Sequence, residues 1–159
     1  MERCRPARPE DLLRVAGLGR ELFAELAPLR GGALWAARDA RPEPLEANLA
    51  PLLDDPDACV LVGTIDEVIV GFGVLLVERL STGQDLGRIT ELFVEPPARS
   101  VGVGEAISEQ LVAFAVDRGC VGVDALALPG HRDTKNFFEE QGFTARMLVM
   151  HHRTRPPES

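Results

Sequence analysis

The stretch R-S-V-G-V-G, residues 99–104, follows an apolar run and opens a run with helical periodicity. The first backbone N–H groups of a helix are free and carry a partial positive charge, so a helix start binds anions. Glycine also lets an anion approach the backbone closely, because it has no Cβ. Gly102 and Gly104 therefore predict an anion site, most simply for a phosphate. A tight turn that holds no ligand would explain the same two glycines.

Two common nucleotide-binding patterns do not fit this stretch. A dinucleotide site needs G-x-G-x-x-G directly after a strand and an acidic residue about 20 positions further on. Asp124 stands at that distance from Gly104, but Ile107 occupies the third glycine position. Val94, the end of the apolar run, also stands eight positions before Gly102, with two prolines between them. A P-loop is excluded as well, because no lysine is near.

The cysteines and histidines do not form a metal-ligand pattern, and we expect no metal. Cys4, Cys59 and Cys120 are far apart and odd in number, and the three histidines lack an H-E-x-x-H or comparable spacing. This cysteine usage is typical of reduced thiols and favours a cytoplasmic location. The N-terminal residues lack the apolar core of a signal peptide.

The charge balance narrows the classes of partner. The chain has 17 Lys and Arg against 25 Asp and Glu, for a net charge of −8. This acidity argues against nucleic acid as a partner, since nucleic-acid binders concentrate Lys and Arg. An acidic surface suits a cationic partner such as an amine. No apolar run approaches the roughly 18 residues of a transmembrane helix, so we expect no membrane partner.

The spacing of apolar residues in the N-terminal half predicts the helices and strands that precede the glycine stretch. After a short extended start, a helix is predicted from a stripe of apolar residues at helical spacing, Leu12, Val15, Leu18, Leu22, Leu26 and Leu29. Residues 30–44 read as a break, and 45–55 as a second, shorter helix. Two β-branched runs, 58–65 and 68–80, meet at Asp66-Glu67 and predict an antiparallel hairpin.

The C-terminal half continues with a strand at 88–94, a helix at 104–119 and a strand at 120–128. A short helix at 131–142 and a final strand at 143–153 complete the pattern. Strands and helices are intermixed along the chain, so the fold class is α/β, with a mixed sheet covered by helices on both faces.

The glycine stretch resembles the acetyl-CoA motif of the GNAT N-acetyltransferase superfamily. That motif has Gln or Arg, then Gly three positions later and Gly or Ala five positions later, after a strand that ends V-x-P. Arg99, Gly102 and Gly104 fill the three positions, and Val94 closes the strand. The N-terminal strand and helix, the hairpin and N-F-F-E-E-Q-G-F (136–143) also resemble family elements in the expected order.

The resemblance spans residues 1 to about 150 and is weakest at 31–57, where acceptor specificity lies in this family. It implies a GNAT-type, mostly antiparallel central sheet in a single domain over 1–153, with a frayed tail at 154–159. The resemblance also implies a homodimer, because members of this family commonly form one.

The resemblance also implies a cofactor site for acetyl-CoA as the acyl donor. The amides of the helix start would hold its pyrophosphate, and backbone groups at the end of the preceding strand would pair with its pantetheine arm. The amide of Val94 would polarise the thioester carbonyl, as in an oxyanion hole. The residues assigned to these roles are Leu92, Phe93, Val94, Arg99, Ser100, Val101, Gly102, Val103, Gly104 and Glu105.

Acyl transfer to an amine needs the neutral amine, and a positioned carboxylate can remove the proton of the ammonium form, directly or through water. Glu91 is the first candidate for this base, because acidic residues near this point of the strand serve the family, and Asp124 is the second. A solvated charge would explain Glu91, and a strand-end residue would explain Asp124.

Two positions depart from the family pattern. Phe138 stands where the family places a tyrosine that protonates the departing CoA thiolate, and the chain has no tyrosine. His131 stands where the family has an asparagine that contacts CoA, although a histidine at the surface of a helix start would explain it. By their positions in the family pattern, His131 and Phe138 are also assigned to the cofactor site. Trp35 could line an acceptor pocket or belong to the core.

The function that this resemblance implies is transfer of an acetyl or short acyl group from CoA to an amine of a small molecule or a protein. Because this tyrosine is missing, an alternative function is that of a non-enzymatic sensor that binds acyl-CoA. A structural module that has the fold without the cofactor is a further alternative.

Overall fold

A five-stranded sheet forms the centre of the molecule, and its strands lie in chain order. The computed structural model describes residues 2–156. The strands are β1 (Glu2–Pro6), β2 (Ala58–Ile65), β3 (Val68–Arg79), β4 (Asp85–Val94) and β5 (Val123–Ala125). The first four are antiparallel to their neighbours, and β5 runs parallel to β4. The predicted α/β class with a mixed, mostly antiparallel sheet is confirmed.

The predicted hairpin of β2 and β3 is also confirmed. Its two turn residues, Asp66 and Glu67, have positive φ angles of 48° and 70°. Two-residue turns with positive φ at both positions match the right-handed twist of paired strands, and aspartate tolerates this conformation better than most residues.

Helices cover both faces of the sheet, as predicted. Helix α1 (Leu12–Leu26) packs on one face, and α4 (Val103–Asp117) packs on the other with α5 (Arg132–Glu140). Successive residues of a strand point to opposite faces. In β2, Val60 and Val62 accordingly face α1, while Leu61 between them faces α4.

Two glycines allow α4 to lie close to the sheet. A Cβ on Gly63 would stand 2.4 Å from a methyl of Val103, and one on Gly73 would stand 2.6 Å from Ile107. No side chain fits in either space. The start of α4 is therefore fixed against β2 and β3, and this fixes the loop in front of it.

Residues 30–44, predicted to be a break, contain a helical turn α2 (Gly32–Leu34) and a π-helical turn over Trp35–Asp39. This correction has a tertiary cause, because Trp35 is buried and its ring lies 5.8 Å from that of Phe23 in α1. The predicted second helix is present as α3 (Leu45–Leu49), followed by a 3-10 turn over Ala50–Asp54.

The final strand predicted at 143–153 is wrong for the described chain, in which these residues form neither strand nor helix. Phe143 is still held, because its N–H donates to the carbonyl of Phe138 at 2.9 Å. The residues beyond it, 144–156, form a segment that we call the C-terminal arm. The arm makes no ladder with β5, so its strand pattern has no partner within the described structure. Residues 157–159 of the predicted tail lie outside the described residues.

No helix in the described part of the chain is both long and apolar enough to span a membrane.

Candidate active site

A cleft opens where β4 extends past the end of β5. The pairing of these two strands ends at Ile89 with Ala125, while β4 continues to Val94. The last residues of β4 therefore have β3 on one side and the cleft on the other. The cleft has a volume of about 550 Å³, and the predicted site residues that line it are Glu91, Leu92, Phe93, Val94, Arg99, Ser100, Gly104, Glu105, His131 and Phe138.

The peptide groups of Val94 face this cleft. The N–H of Glu95 donates to the carbonyl of Val70 in β3, at 2.9 Å. Neighbouring residues in a strand direct their N–H and C=O groups to opposite sides, so those of Val94 point away from β3. Consistent with this, Nε of Arg99 donates to the carbonyl oxygen of Val94 at 2.7 Å from the cleft side. The Val94 N–H is directed the same way, and Leu92 shares this orientation.

The loop before α4 brings backbone amides to one end of the cleft. Gly102 caps the helix with φ of 93°, a left-handed conformation that favours glycine, and Ser100 also has a positive φ of 70°. Val103 is buried, with its side chain against Gly63. Val101 is exposed. Val101, Gly102 and Val103, which the sequence resemblance assigned to the cofactor site, are not among the residues that line the cleft.

Gly104 is constrained by packing as well as by the cleft. A Cβ at this position would stand 3.3 Å from the ring of Phe137 and 3.7 Å from a methyl of Val94. The glycine thus lets the first turn of α4 approach both α5 and the end of β4. Sequence analysis did not identify Phe137, whose ring is part of the wall of the cleft.

Glu91 lies in the cleft beside a cation that sequence analysis missed. Arg41 holds its carboxylate with two nitrogens, at 2.7 and 2.9 Å, and the hydroxyl of Thr90 donates to it at 2.6 Å. Only 11% of the Glu91 side chain and 14% of the Arg41 side chain are exposed. The guanidinium also donates to the carbonyl oxygen of Asn48 at 3.4 Å. The region between α1 and β2 is thereby tied to the middle of β4.

A β-bulge sets the direction of Glu91. Along the β3–β4 ladder, Glu91 pairs with Val74 and Ile89 pairs with Leu75, so Thr90 is an extra residue on β4. A bulge increases the local twist and redirects the side chains next to it.

The second base candidate, Asp124, does not line the cleft. Its carboxylate makes a two-point ion pair with the guanidinium of Arg146 in the C-terminal arm, one bond being 2.7 Å long. The hydrogen bond from Arg146 is the main cause that holds the pKa of Asp124 below its usual range. Asp124 is thus a paired, ionised carboxylate at the far edge of the sheet.

A second charged group in the cleft joins α1 to the start of α5. Nε2 of His131 lies 3.5 Å from a carboxylate oxygen of Glu25, and Arg99 donates to the other oxygen at 2.9 Å. The hydroxyl of Thr134 contacts Nδ1 of His131. Glu25 was not found by sequence analysis, because the residues it contacts are 74 or more positions away.

Phe138 contributes an apolar ring where the cleft meets the core. Its exposure is 7%, and its ring lies 5.3 Å from that of Phe137 and 5.0 Å from that of Phe143. Trp35, left open as a core or pocket residue, is buried and also lines the cleft. The side chain at 138 offers no proton.

Carboxylates outnumber cations among the residues that line the cleft. The acidic members are Glu25, Glu91, Glu105, Asp133 and Glu140, and the basic ones are Arg99 and His131. Within residues 2–156, no group of three or more His, Cys, Asp or Glu side chains is arranged to hold a metal ion.

An open strand edge beside a helix-start amide loop is what the sequence resemblance implies for an acyl-CoA-binding domain. A family model described as the acetyltransferase (GNAT) family matches residues 29–143. The chain therefore belongs to the acetyltransferase (GNAT) family.

Solved structures show the same fold at low sequence identity. A mutant BH1408 protein from Bacillus halodurans has a TM-score of 0.80 at 18% identity, over 96% of this chain and 99% of that one. Glucosamine-6-phosphate N-acetyltransferase from Arabidopsis thaliana has a TM-score of 0.70 at 18% identity, over 98% and 99%. Ribosomal-protein-alanine N-acetyltransferase from Brucella melitensis biovar Abortus 2308 has a TM-score of 0.68 at 19% identity, over 98% and 100%. No curated protein matches the sequence.

Proposed function

We propose that this protein is an N-acetyltransferase that moves an acetyl or short acyl group from CoA to an amine. The observation that carries the proposal is the open side of β4 next to the amide loop of α4. Acetyl-CoA would supply the acyl group as a thioester. The cleft offers the backbone edge, the anion-binding helix start and the space that such a ligand requires.

Each part of the cleft has a proposed task. The amides of residues 100–105 bind phosphate oxygens, because the helix start carries a partial positive charge. The backbone of Leu92 positions the ligand along β4, whereas the backbone of Phe93, which the sequence resemblance also assigned to this role, faces β3. The N–H of Val94 stabilises negative charge on a carbonyl oxygen, a contribution of about 3–4 kcal/mol in comparable sites.

Glu91 is the base that we propose for the acceptor amine. It lies in the cleft three residues before Val94, whereas Asp124 lies outside the cleft and is paired with Arg146. The contact with Arg41 holds the Glu91 carboxylate in one place. Proton transfer, directly or through a water molecule, then proceeds from a fixed geometry, which favours catalysis.

The departing thiolate needs little help near neutral pH. A thiol has a pKa near 8.5, so it leaves as a thiolate with a modest penalty. Phe138 therefore does not argue against activity, and it predicts that solvent rather than a side chain protonates the thiolate.

The charge of the cleft favours a cationic acceptor. Five carboxylates line it; Glu91 is paired with Arg41 and Glu25 with Arg99, but the excess of negative charge still attracts an ammonium group. The name of one structural neighbour contains an amino sugar phosphate and that of another contains a ribosomal protein, so the proposed acceptor is an amine of either a small molecule or a protein. A reducing, cytoplasmic location and the absence of a nucleic-acid partner are further parts of the proposal, supported by three free cysteines and the acidic charge.

The test combines a thermal shift with an assay for released thiol. Acetyl-CoA at about 100 times its dissociation constant adds roughly 2.7 kcal/mol to the free energy of unfolding, so the melting temperature should rise. Thiol release with a panel of amines would then identify the acceptor class. The protein's own thiols give a slow background, because burial raises the pKa of Cys4 and Cys59 to about 11.

The same experiment tests the alternatives. A thermal shift without thiol release over the whole panel would favour an acyl-CoA sensor, for which the apolar Phe138 is the supporting observation. No shift at millimolar acetyl-CoA would favour a structural module and would refute the proposal.

A further inference from the structure

Arg99 occupies the cleft in a way that the proposed function does not use. Its Nε donates to the carbonyl oxygen of Val94 at 2.7 Å, and a terminal nitrogen donates to Glu25 at 2.9 Å. The carbon between these nitrogens lies 5.3 Å from the centre of the Phe93 ring, within the range of a cation–π contact. A carbonyl oxygen, a carboxylate and an aromatic face all attract cations. The cleft therefore contains a subsite for a positive charge, and the chain's own guanidinium fills it.

Glu25 is the charged member of this subsite, and its carboxylate is held in one place. The residue lies near the end of α1, and its side chain is 29% exposed and lines the cleft. Arg99 holds one carboxylate oxygen, and Nε2 of His131 lies 3.5 Å from the other. These two contacts come from the loop before α4 and from the start of α5. Because three elements fix its position, Glu25 can select a ligand by where the ligand carries its charge.

Arg99 has a second partner within reach in the proposed complex with acyl-CoA. The residue directly precedes the amides of residues 100–105, for which we propose phosphate binding. A guanidinium binds phosphate oxygens through paired hydrogen bonds, and a pyrophosphate carries more negative charge than one carboxylate. The Arg99 side chain is 39% exposed, so packing does not prevent it from turning. Phosphate groups at the loop therefore compete with Glu25 for the same cation.

The ion pair of Glu91, in contrast, does not depend on what binds at the loop. Its partner Arg41 belongs to the segment before α3, and the Arg41 side chain is only 14% exposed. Two nitrogens of Arg41 hold the Glu91 carboxylate, at 2.7 and 2.9 Å, whereas one nitrogen of Arg99 holds Glu25. Of these two carboxylates, Glu25 is therefore the one that loses its cation when phosphate is bound nearby.

We propose that Glu25 binds a second positive charge of the acceptor, and that Arg99 covers this carboxylate until its guanidinium turns to the phosphates of acyl-CoA. The inference rests on the proposed function and narrows its acceptor to an amine with a further cationic group, such as an α,ω-diamine. Glu91 takes the proton of the reacting nitrogen, while Glu25 holds the other charge. Because both ligands act on Arg99, each strengthens the binding of the other by the same factor.

Calorimetry with CoA tests this proposal without turnover, because CoA carries the phosphates but no acyl group. The probes are α,ω-diamines of about three to six carbons, each compared with the amino alcohol of the same length, which has one positive charge. We expect CoA to raise the affinity for a diamine by about two- to fivefold, the range set by a half-exposed ion pair. The affinity for the matched amino alcohol should stay unchanged, because it has no second charge for Glu25.

Three variants assign the effect to these side chains. Glu25→Gln should remove the preference for diamines and tighten CoA binding by about two- to fivefold, because the guanidinium no longer has to leave a carboxylate. Arg99→Gln should show the preference for diamines without CoA, because the carboxylate is no longer covered. Glu21→Gln is the matched control and should behave as wild type, since Glu21 lies on the same helix, is 49% exposed and is not among the residues that line the cleft.

Thiol release from acetyl-CoA separates this inference from the proposed function. Turnover with equal kcat/KM for diamines and amino alcohols would support the transferase and overturn the role of Glu25. Coupled binding without any turnover would refute the transferase and support the cation subsite. The inference is also overturned if diamines and amino alcohols bind alike in the presence of CoA, which includes no binding of either, or if the preference for diamines survives Glu25→Gln.

Discussion

Substituting Gln for Glu91 separates the structural role of this carboxylate from its proposed catalytic role. Gln keeps the shape and can still accept a hydrogen bond from Arg41, but it has no charge and cannot act as a base. Because 11% of Glu91 and 14% of Arg41 are exposed, the substitution leaves a nearly buried guanidinium without its counterion. Breaking a buried pair costs about 3–5 kcal/mol, and the remaining hydrogen bonds bring our expectation to about 2–3 kcal/mol.

This magnitude sets the expected thermal shift. For a domain of this size, 1 kcal/mol corresponds to about 2–4 °C, so Glu91→Gln should melt roughly 4–12 °C below wild type. Arg41→Gln should have a similar effect, because it leaves the carboxylate unpaired. The double variant removes both charges and should cost less than the sum of the two single variants, by about 2 kcal/mol.

Turnover should respond differently to the same variants. Glu91→Gln should lower turnover at pH 7 by about 10²–10⁴, the usual contribution of a general base, while acetyl-CoA affinity changes little. The loss should shrink at high pH, where the amine loses its proton without help. Arg41→Gln should lower turnover less, since the base is still present. Steady-state rates from pH 6 to 10, measured below every melting temperature, check this.

One result would refute the catalytic role directly. If Glu91→Gln keeps turnover within threefold of wild type at pH 7 while the stability coupling to Arg41 is present, Glu91 is a structural partner of Arg41 only. The proton would then go to bulk solvent or to another group in the cleft.

Three further predictions concern other parts of the molecule. Gly104→Val should weaken acetyl-CoA binding by about tenfold or more, as measured by calorimetry, because the added methyls stand between the cleft and Phe137; wild-type affinity would disprove the assigned amide loop. Phe138→Tyr should raise turnover, most visibly below pH 7, by offering a proton to the thiolate; a hydroxyl buried without a partner would instead cost about 1–3 kcal/mol of stability and bring no kinetic gain. Asp124→Asn should lower the melting temperature at pH 7, and the difference from wild type should close as the pH falls below about 4. The sign follows from the lowered pKa of Asp124, since its ion pair with Arg146 stabilises the fold only while the carboxylate is ionised; a difference that stays constant down to pH 3 would contradict it.

The sequence predicts those parts of the fold whose conformation is determined by residues close together in the chain. The β2–β3 hairpin follows from two β-branched runs around Asp66-Glu67, whose positive φ angles close the turn. The loop before α4 follows from Gly102, because its left-handed conformation is rare for other residues. In both cases the residues that determine the conformation stand within a few positions of one another.

Sequence analysis missed the groups whose partners are distant in the chain. Arg41 and Glu91 are 50 positions apart, and Arg99 and Glu25 are 74 apart. No periodicity links such residues, so sequence analysis identified Glu91 and Arg99 but not their partners Arg41 and Glu25, which appear in the sequence as ordinary surface charges. Only the fold shows that these four side chains lie in one cleft or at its margin, where ion pairs hold them in place.

The strand predicted at 143–153 shows a different limit of sequence reasoning. A run such as M-L-V-M has the composition of a buried strand, but strand propensity measures the fit of side chains to a covered, pleated surface. A strand also needs a neighbour that accepts its backbone hydrogen bonds, and the composition of a run does not show whether such a neighbour is within reach. The pattern is wrong for a single chain because β5 is left with one partner and the arm with none.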